Sequence, residues 1–154
     1  MAEMKHYTLG EYVKLLEEKG MLAEYDLQGK DGEEIKLLTY DSREVTQGTL
    51  FICKGAAFKA EYLKNSMNQG AVCYVSEKKY ELEKEVPYIL VKGIRDAMAV
   101  LANFFYNKPW EDLAVIGFGG TKGKSTSTYY MKAVVDDYLA AQDKPESANR
   151  HLRW

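Results

Sequence analysis

The chain has 154 residues, 46% of them apolar and 12% aromatic, enough to bury the core of one domain or of one domain and part of a second. That composition excludes a disordered tail or a collagen-like fibre. Twenty-one basic against 23 acidic residues leave a net charge of −2, so no basic excess steers the chain to nucleic acid or an anionic membrane.

The opening Met-Ala-Glu-Met-Lys-His-Tyr lacks the apolar segment of a signal peptide, and no apolar run reaches the roughly 18 residues of a bilayer span. The first element expected is a helix. Thr8 and Glu11 have capping-box spacing, Leu9, Tyr12, Val13 and Leu16 recur at helical intervals, and Gly20 is placed to end the run. From Ile35 the period changes. Ile35–Tyr40 and Thr49–Cys53 read as short strands, separated by the polar Asp41-Ser42-Arg43 and a turn at Gly48. Glu61–Asn68 suits a helix stopped by Gly70, and Ala71–Val75 a buried strand. A charged stretch near Lys78–Lys84 reads as helical, and Val86–Val91 as a further strand. Strands alternating with helices predict an α/β layer. Cys53 and Cys73 lie in apolar stretches without metal-ligand spacing and read as buried free thiols of a reducing, cytoplasmic compartment.

Ile94–Asn107 carries the clearest helical period, with Ile94, Ala97, Met98, Leu101, Phe104 and Phe105 on one face and Pro109 to stop it. Residues 107–112 form a polar connection. The expected division is therefore a first domain over 1–109 and a partial second unit over 110–142. That unit contains a strand at Leu113–Phe118, a glycine loop at Gly119–Gly123 and a helix from Lys124 to about Leu139. Residues 143–154, with no apolar strand pattern, read as a disordered tail.

The loop Gly117-Phe118-Gly119-Gly120-Thr121-Lys122-Gly123-Lys124-Ser125-Thr126 meets three requirements of phosphate binding. Glycines let successive N–H groups turn inward on an anion, and the following helix adds its positive N-terminal end. Lys124 can reach β and γ phosphates, and the Ser125 hydroxyl can serve Mg²⁺. Phe118 stands where the general phosphate-loop spacing asks for glycine, with Gly117, Gly119 and Gly120 supplying the flexibility around it. The competing reading is a glycine turn that only joins strand to helix. It is the weaker of the two, because Gly-Lys-Ser-Thr falls where a strand–loop–helix unit would put it.

Gly120-Thr121-Lys122-Gly123-Lys124-Ser125-Thr126 resembles the Gly-Thr-Asn-Gly-Lys-Thr loop of the Mur ligase superfamily, with Lys122 in place of the common Asn. Thr39-Tyr40-Asp41-Ser42-Arg43-Glu44-Val45, followed by Gly48-Thr49-Leu50-Phe51-Ile52-Cys53-Lys54-Gly55, looks like the first-domain signature of its UDP-N-acetylmuramoyl-tripeptide synthetases (MurE type). Gln69–Val72, Val86–Val91 and Arg95–Ala97 continue the likeness, which runs from about residue 35 to 140. The resemblance implies a small substrate domain followed by the first strand, phosphate loop and helix of a Rossmann-like ATPase domain. It also implies ATP and Mg²⁺ as cofactors, with Gly120, Thr121, Lys122, Gly123, Lys124, Ser125 and Thr126 on the nucleotide, Lys124 as the catalytic cation and Ser125 on the metal. Ser42 would contact the UDP end of a UDP-MurNAc-peptide. A turn residue bonding its own backbone is the alternative for Ser42, and Asp41 and Arg43 could hold the turn or touch substrate.

The family chemistry so implied is ATP-dependent amide formation in peptidoglycan precursor synthesis. The γ-phosphate passes to the carboxylate of UDP-MurNAc-L-Ala-D-Glu, and a diamino acid's amine then displaces phosphate from the acyl phosphate. The loop following Lys54-Gly55, at Ala56-Ala57-Phe58, corresponds to a second family substrate loop without its usual side chains. A sheet with one strand cannot cover a nucleotide, so the chain reads as a truncated ligase, inactive by itself. The apolar residues of its last helix would turn to docking, self-association or disorder. Three other functions stay open: a different Mur ligase, such as the D-Ala-D-Ala-adding type, a non-catalytic binder of UDP-sugar nucleotides, and a small P-loop kinase that would bind ATP without any UDP preference.

Overall fold

The structure is a computed structural model that describes residues 5–55, 58–111 and 114–144, which fall into two compact units divided between Asp112 and Leu113. The first unit is built on a five-stranded sheet in the order β1-β5-β4-β3-β2. Its strands are β1 (Leu22–Asp26), β2 (Leu37–Thr39), β3 (Thr49–Ile52), β4 (Ala71–Ser76) and β5 (Tyr88–Val91). β2, β3, β4 and β5 run parallel, and β1 closes the edge antiparallel to β5. Among the described residues three α-helices accompany the sheet, α1 (Leu9–Glu18), α2 (Ala60–Gln69) and α3 (Ile94–Phe105), followed by a 3-10 turn at Pro109–Glu111.

Period-two alternation divides the strand side chains between two cores. Leu50, Ile52, Val75, Ile89 and Val91 pack with Leu9, Tyr12 and Leu16 of α1 and Ala97 and Leu101 of α3. Phe51, Tyr74 and Tyr88 point the other way, to Leu63 of α2. Every residue of β3 and β4 is therefore buried, as a parallel sheet covered on both faces requires. Each fully buried leucine contributes about 2 kcal/mol of apolar transfer, which makes these interior positions the main source of stability.

The helix ends follow local rules. The Thr8 N–H donates to Glu11 Oε2 at 2.8 Å, the reciprocal half of the expected capping box. Gly20, at φ +67°, closes α1 with its N–H on the Glu17 carbonyl at 2.9 Å. Gly70, at φ +117°, does the same for α2, and a Cβ there would lie 2.9 Å from Gln47 Cα.

Two sequence expectations are corrected. Lys78–Lys84 is irregular, not helical. Tyr80 and Leu82 both pack on the second core, a spacing of two that no helix face offers, and the Tyr80 N–H is held by the Tyr74 hydroxyl at 3.2 Å. Residues 114–118 of the expected Leu113–Phe118 strand form no strand, and Leu113 lies outside the described residues. The second unit has no neighbouring strand among its described residues to complete a ladder, and Val115 and Ile116 are exposed. The described residues of that unit include the glycine loop and α4 (Lys124–Ala140), which buries none of its side chains. Tyr130, Val134 and Tyr138 form an exposed stripe at helical spacing.

Of the expected tail at 143–154, residues 145–154 lie outside the described residues. Among the described residues no helix is long and apolar enough to cross a membrane. Cys53 and Cys73 are free and buried, and burial pushes both thiols well above their ordinary pKa.

Candidate functional site

In a parallel sheet the loops at the carboxyl ends of the strands gather on one edge, where such folds place ligands. β2 leads into Asp41-Ser42-Arg43. The Arg43 Nε donates to both Asp41 oxygens, at 2.8 and 3.1 Å, and Nη2 adds a third bond at 2.5 Å. The Arg43 backbone N–H also donates to Asp41 Oδ1, at 3.0 Å. These bonds, side-chain first, hold the Asp41 carboxyl down to about 2. The Asp41 N–H in turn donates to Thr39 Oγ1 at 3.1 Å, and that hydroxyl donates to Glu44 Oε2 at 3.0 Å. Asp41 and Arg43 are thus clasped to each other, as a turn-holding pair would be. Ser42, carried between them, is half-buried, and its hydroxyl has no hydrogen-bond partner among the described residues.

β3, β4 and β5 end beside one another and line a groove with Lys54, Lys78 and Arg95 as its cations. Glu77 and Asp96 are its carboxylates, and Glu77 is committed to the backbone: its Oε1 accepts the Ile94 N–H at 2.9 Å and so caps α3. Lys54 lies 4.7 Å from the ring centroid of Tyr40, whose side chain stands exposed two residues before Ser42. The motif reading gave Tyr40 and Lys54 no role. Their signal was an exposed aromatic and a lysine at the ends of adjacent strands. Phe58 lines the same groove, while Ala56 and Ala57 lie outside the described residues.

The glycine loop belongs to the second unit. Gly120 has φ +145° and Gly123 φ +78°, conformations that favour glycine, and a Cβ at Gly123 would meet nothing within 4 Å. The backbone turn, not crowding, is what asks for glycine at Gly123. Its carbonyl accepts the Ser127 N–H at 2.9 Å, the first turn of α4. Lys124 Nζ donates to the Gly120 carbonyl at 2.5 Å, so the lysine folds back over its own loop. Thr121, Lys122, Ser125 and Thr126 are exposed and have no side-chain partners among the described residues. No acidic residue sits in the first turn of α4 to offset its positive end. The donor set, with backbone N–H groups, two ammonium groups and hydroxyls, suits a phosphate chain and its magnesium ion.

No protein-family model matches the chain. Individual proteins do. It is 37% identical over 129 residues to a UDP-N-acetylmuramyl-tripeptide synthetase of Lactobacillus acidophilus, covering 84% of this chain and 25% of that protein. It is 48% identical over 111 residues to a UDP-N-acetylmuramoyl-L-alanyl-D-glutamate–L-lysine ligase of Enterococcus faecalis, covering 72% and 21%. The corresponding lysine ligase of Streptococcus pneumoniae is 50% identical over 93 residues, covering 60% and 19%. The chain therefore spans only a fifth to a quarter of these curated relatives. Among solved structures, the D-alanyl-D-alanyl ligase of Acinetobacter baumannii superposes with a TM-score of 0.61 at 22% identity, over 90% of this chain and 30% of that one. A crystal structure of MurF from the same organism gives 0.61 at 20% identity, over 88% and 28%. The structural likeness carries the fold, and the sequence likeness carries the subgroup: the chain is a member of the Mur ligase superfamily, similar in sequence to its MurE-type synthetases.

Proposed function

We propose that this chain supplies the UDP-substrate domain and the phosphate loop of a ligase that adds a diamino acid to UDP-MurNAc-L-Ala-D-Glu in the cytoplasm. The observation that carries the reading is the unspent Ser42 hydroxyl at the carboxyl edge of the sheet, two residues after Tyr40, whose ring meets Lys54 of the cationic groove. A hydroxyl that can donate and accept suits a uracil carbonyl or a diphosphate oxygen. The clasp between Asp41 and Arg43 leaves Ser42 as the member of the motif free to bind.

In the second unit, Gly120, Thr121, Lys122, Gly123, Ser125 and Thr126 are assigned to the nucleotide, with Ser125 also on Mg²⁺ and Lys124 as the catalytic cation. Lys124 would exchange its Gly120 carbonyl for phosphate oxygens and neutralise charge there. ATP with its magnesium ion supplies the phosphoryl group that activates the substrate carboxylate. The 48% and 50% identities to lysine ligases favour the diamino-acid step over D-Ala-D-Ala addition, since the MurF likeness extends only to fold.

Calorimetry with UDP-MurNAc-L-Ala-D-Glu tests the reading. Ser42→Ala removes one hydrogen bond and is expected to weaken binding about three- to tenfold. Unchanged affinity in that variant, or no binding by the wild type, would sink it. Phosphate release from ATP with the substrate and a diamino acid separates a ligase from a chain that only binds.

A further inference from the structure

Tyr80 borders the cationic groove and also lines a second cavity, of about 190 Å³, whose chemistry is of a different kind. Its floor is Tyr74 and Tyr88, partners in the parallel register of β4 and β5 and 1% and 5% exposed. The Tyr74 ring centroid lies 6.1 Å from that of Tyr80 and 6.1 Å from that of Tyr88. Two hydrogen bonds fix these rings. The Tyr74 hydroxyl accepts the Tyr80 N–H at 3.2 Å, and the Tyr88 hydroxyl donates to Glu24 Oε1 at 2.5 Å. Tyr74 is closed to a visitor, which leaves the faces of Tyr80 and, beneath Lys79, of Tyr88.

Carboxylates line the cavity together with those rings. Asp26, at the end of β1, and Glu81 and Glu85, on the segment leading to β5, line the same cavity. Electron-rich rings in company with carboxylates attract an organic cation. Two are already near: Lys78 holds its ammonium 5.2 Å from the Tyr80 ring centroid, and Lys79, itself a lining residue, 4.6 Å from that of Tyr88. Lys84 also lines the cavity, leaving three carboxylates against two lysines. Lys79 is exposed, on an irregular segment, and can withdraw on its flexible stem.

We propose that this cavity is a binding site for a small alkylammonium compound, with Lys79 as the tethered occupant that such a ligand displaces. The site lies outside the groove at Ser42 and does not depend on that assignment. Asp26, Glu81 and Glu85 supply the opposite charge, and the Tyr88 face vacated by Lys79 supplies the cation–π contact.

Tetramethylammonium chloride is the probe, titrated into the full chain at constant ionic strength while the tyrosine ring resonances are followed by NMR. Tert-butanol serves as a neutral probe of similar shape. Tetramethylammonium is expected to shift Tyr74, Tyr80 and Tyr88 and to spare the exposed Tyr62 and Tyr106. Lys79→Met keeps the stem but removes the competing charge, and should tighten binding about tenfold. Glu81→Gln with Glu85→Gln should weaken it. Equal response to tert-butanol, shifts spread over all tyrosines, or identical affinity in wild type and Lys79→Met would each overturn the proposal. So would the absence of any shift in Lys79→Met.

Discussion

Replacing Gly70 by alanine should damage the first unit far more than the same change at Gly20, although both glycines follow a helix. Gly20 sits at φ +67° with nothing within 4 Å of an added Cβ, so alanine there meets only the left-handed backbone penalty, about 1 kcal/mol. Gly70 sits at φ +117°, and its Cβ would lie 2.9 Å from Gln47 Cα and 3.0 Å from Gln47 N. Those atoms are backbone and cannot swing aside. Their neighbour Gly48 donates its N–H to the Gly70 carbonyl at 3.1 Å, so relief of the clash also strains the turn that enters β3. Adding a lost hydrogen bond and overpacking to the backbone penalty gives about 3 kcal/mol or more. With a urea slope of about 1.5 kcal/mol/M, the midpoint should fall by roughly 2 M for Gly70→Ala and by less than about 1 M for Gly20→Ala. Amide NMR intensities of β3 and β4 through a urea titration read the first unit directly. Equal midpoints for the two variants would refute the reasoning, because the calculated difference comes entirely from contact with Gln47.

The remaining predictions concern titration and reactivity. Asp41 should titrate near 2 in a carbon-detected NMR experiment, and in Arg43→Ala its midpoint should return toward the ordinary carboxylate range. Because the folded value is the lower one, the contribution of this clasp is present above the unfolded carboxyl's pKa and is lost as pH falls through about 2. Cys53 and Cys73 should resist a thiol reagent at pH 8 in the folded protein and react together on unfolding, since burial raises both. Rapid labelling of either in the native state would contradict their placement.

The helices of the first unit were legible because their apolar positions repeat at about 3.6 residues and are followed by Gly20, Gly70 or Pro109, and the four parallel strands because they are short apolar or β-branched runs. β1 was not. Leu22-Ala23-Glu24-Tyr25-Asp26 exposes four of its five residues, so pairing with β5 holds it and no burial pattern marks it. Lys78–Lys84 failed for the opposite reason. Its helix-forming lysines and glutamates carried the propensity, while Tyr80 and Leu82 were claimed by the second core. The Leu113–Phe118 reading failed because a strand depends on a neighbour, which no window of its own sequence can supply. At the carboxyl edge of the sheet, the adjacency of Asp41, Ser42 and Arg43 was visible, and a turn-holding role for Asp41 and Arg43 was one of two open readings; only the structure shows them bonded to each other. Tyr40 and Lys54 meet only because β2 and β3 are adjacent, a relation of topology invisible along the chain.

The pairing of β1 with β5 sets a condition on how the first unit is made. Leu22 finds its ladder partner at Val91, and α1 packs against α3, so the earliest-synthesised elements contact the latest. A nascent chain on the ribosome cannot close this sheet edge until Tyr88–Val91 has been made, long after β1 at Leu22–Asp26, and α1 must wait longer with its apolar face uncovered. That interval is where a chaperone would find its substrate. The ends of the unit meet where Asn107 Nδ2 donates to the Lys5 carbonyl at 3.4 Å, so joining them there and opening the chain at another loop would shorten the wait.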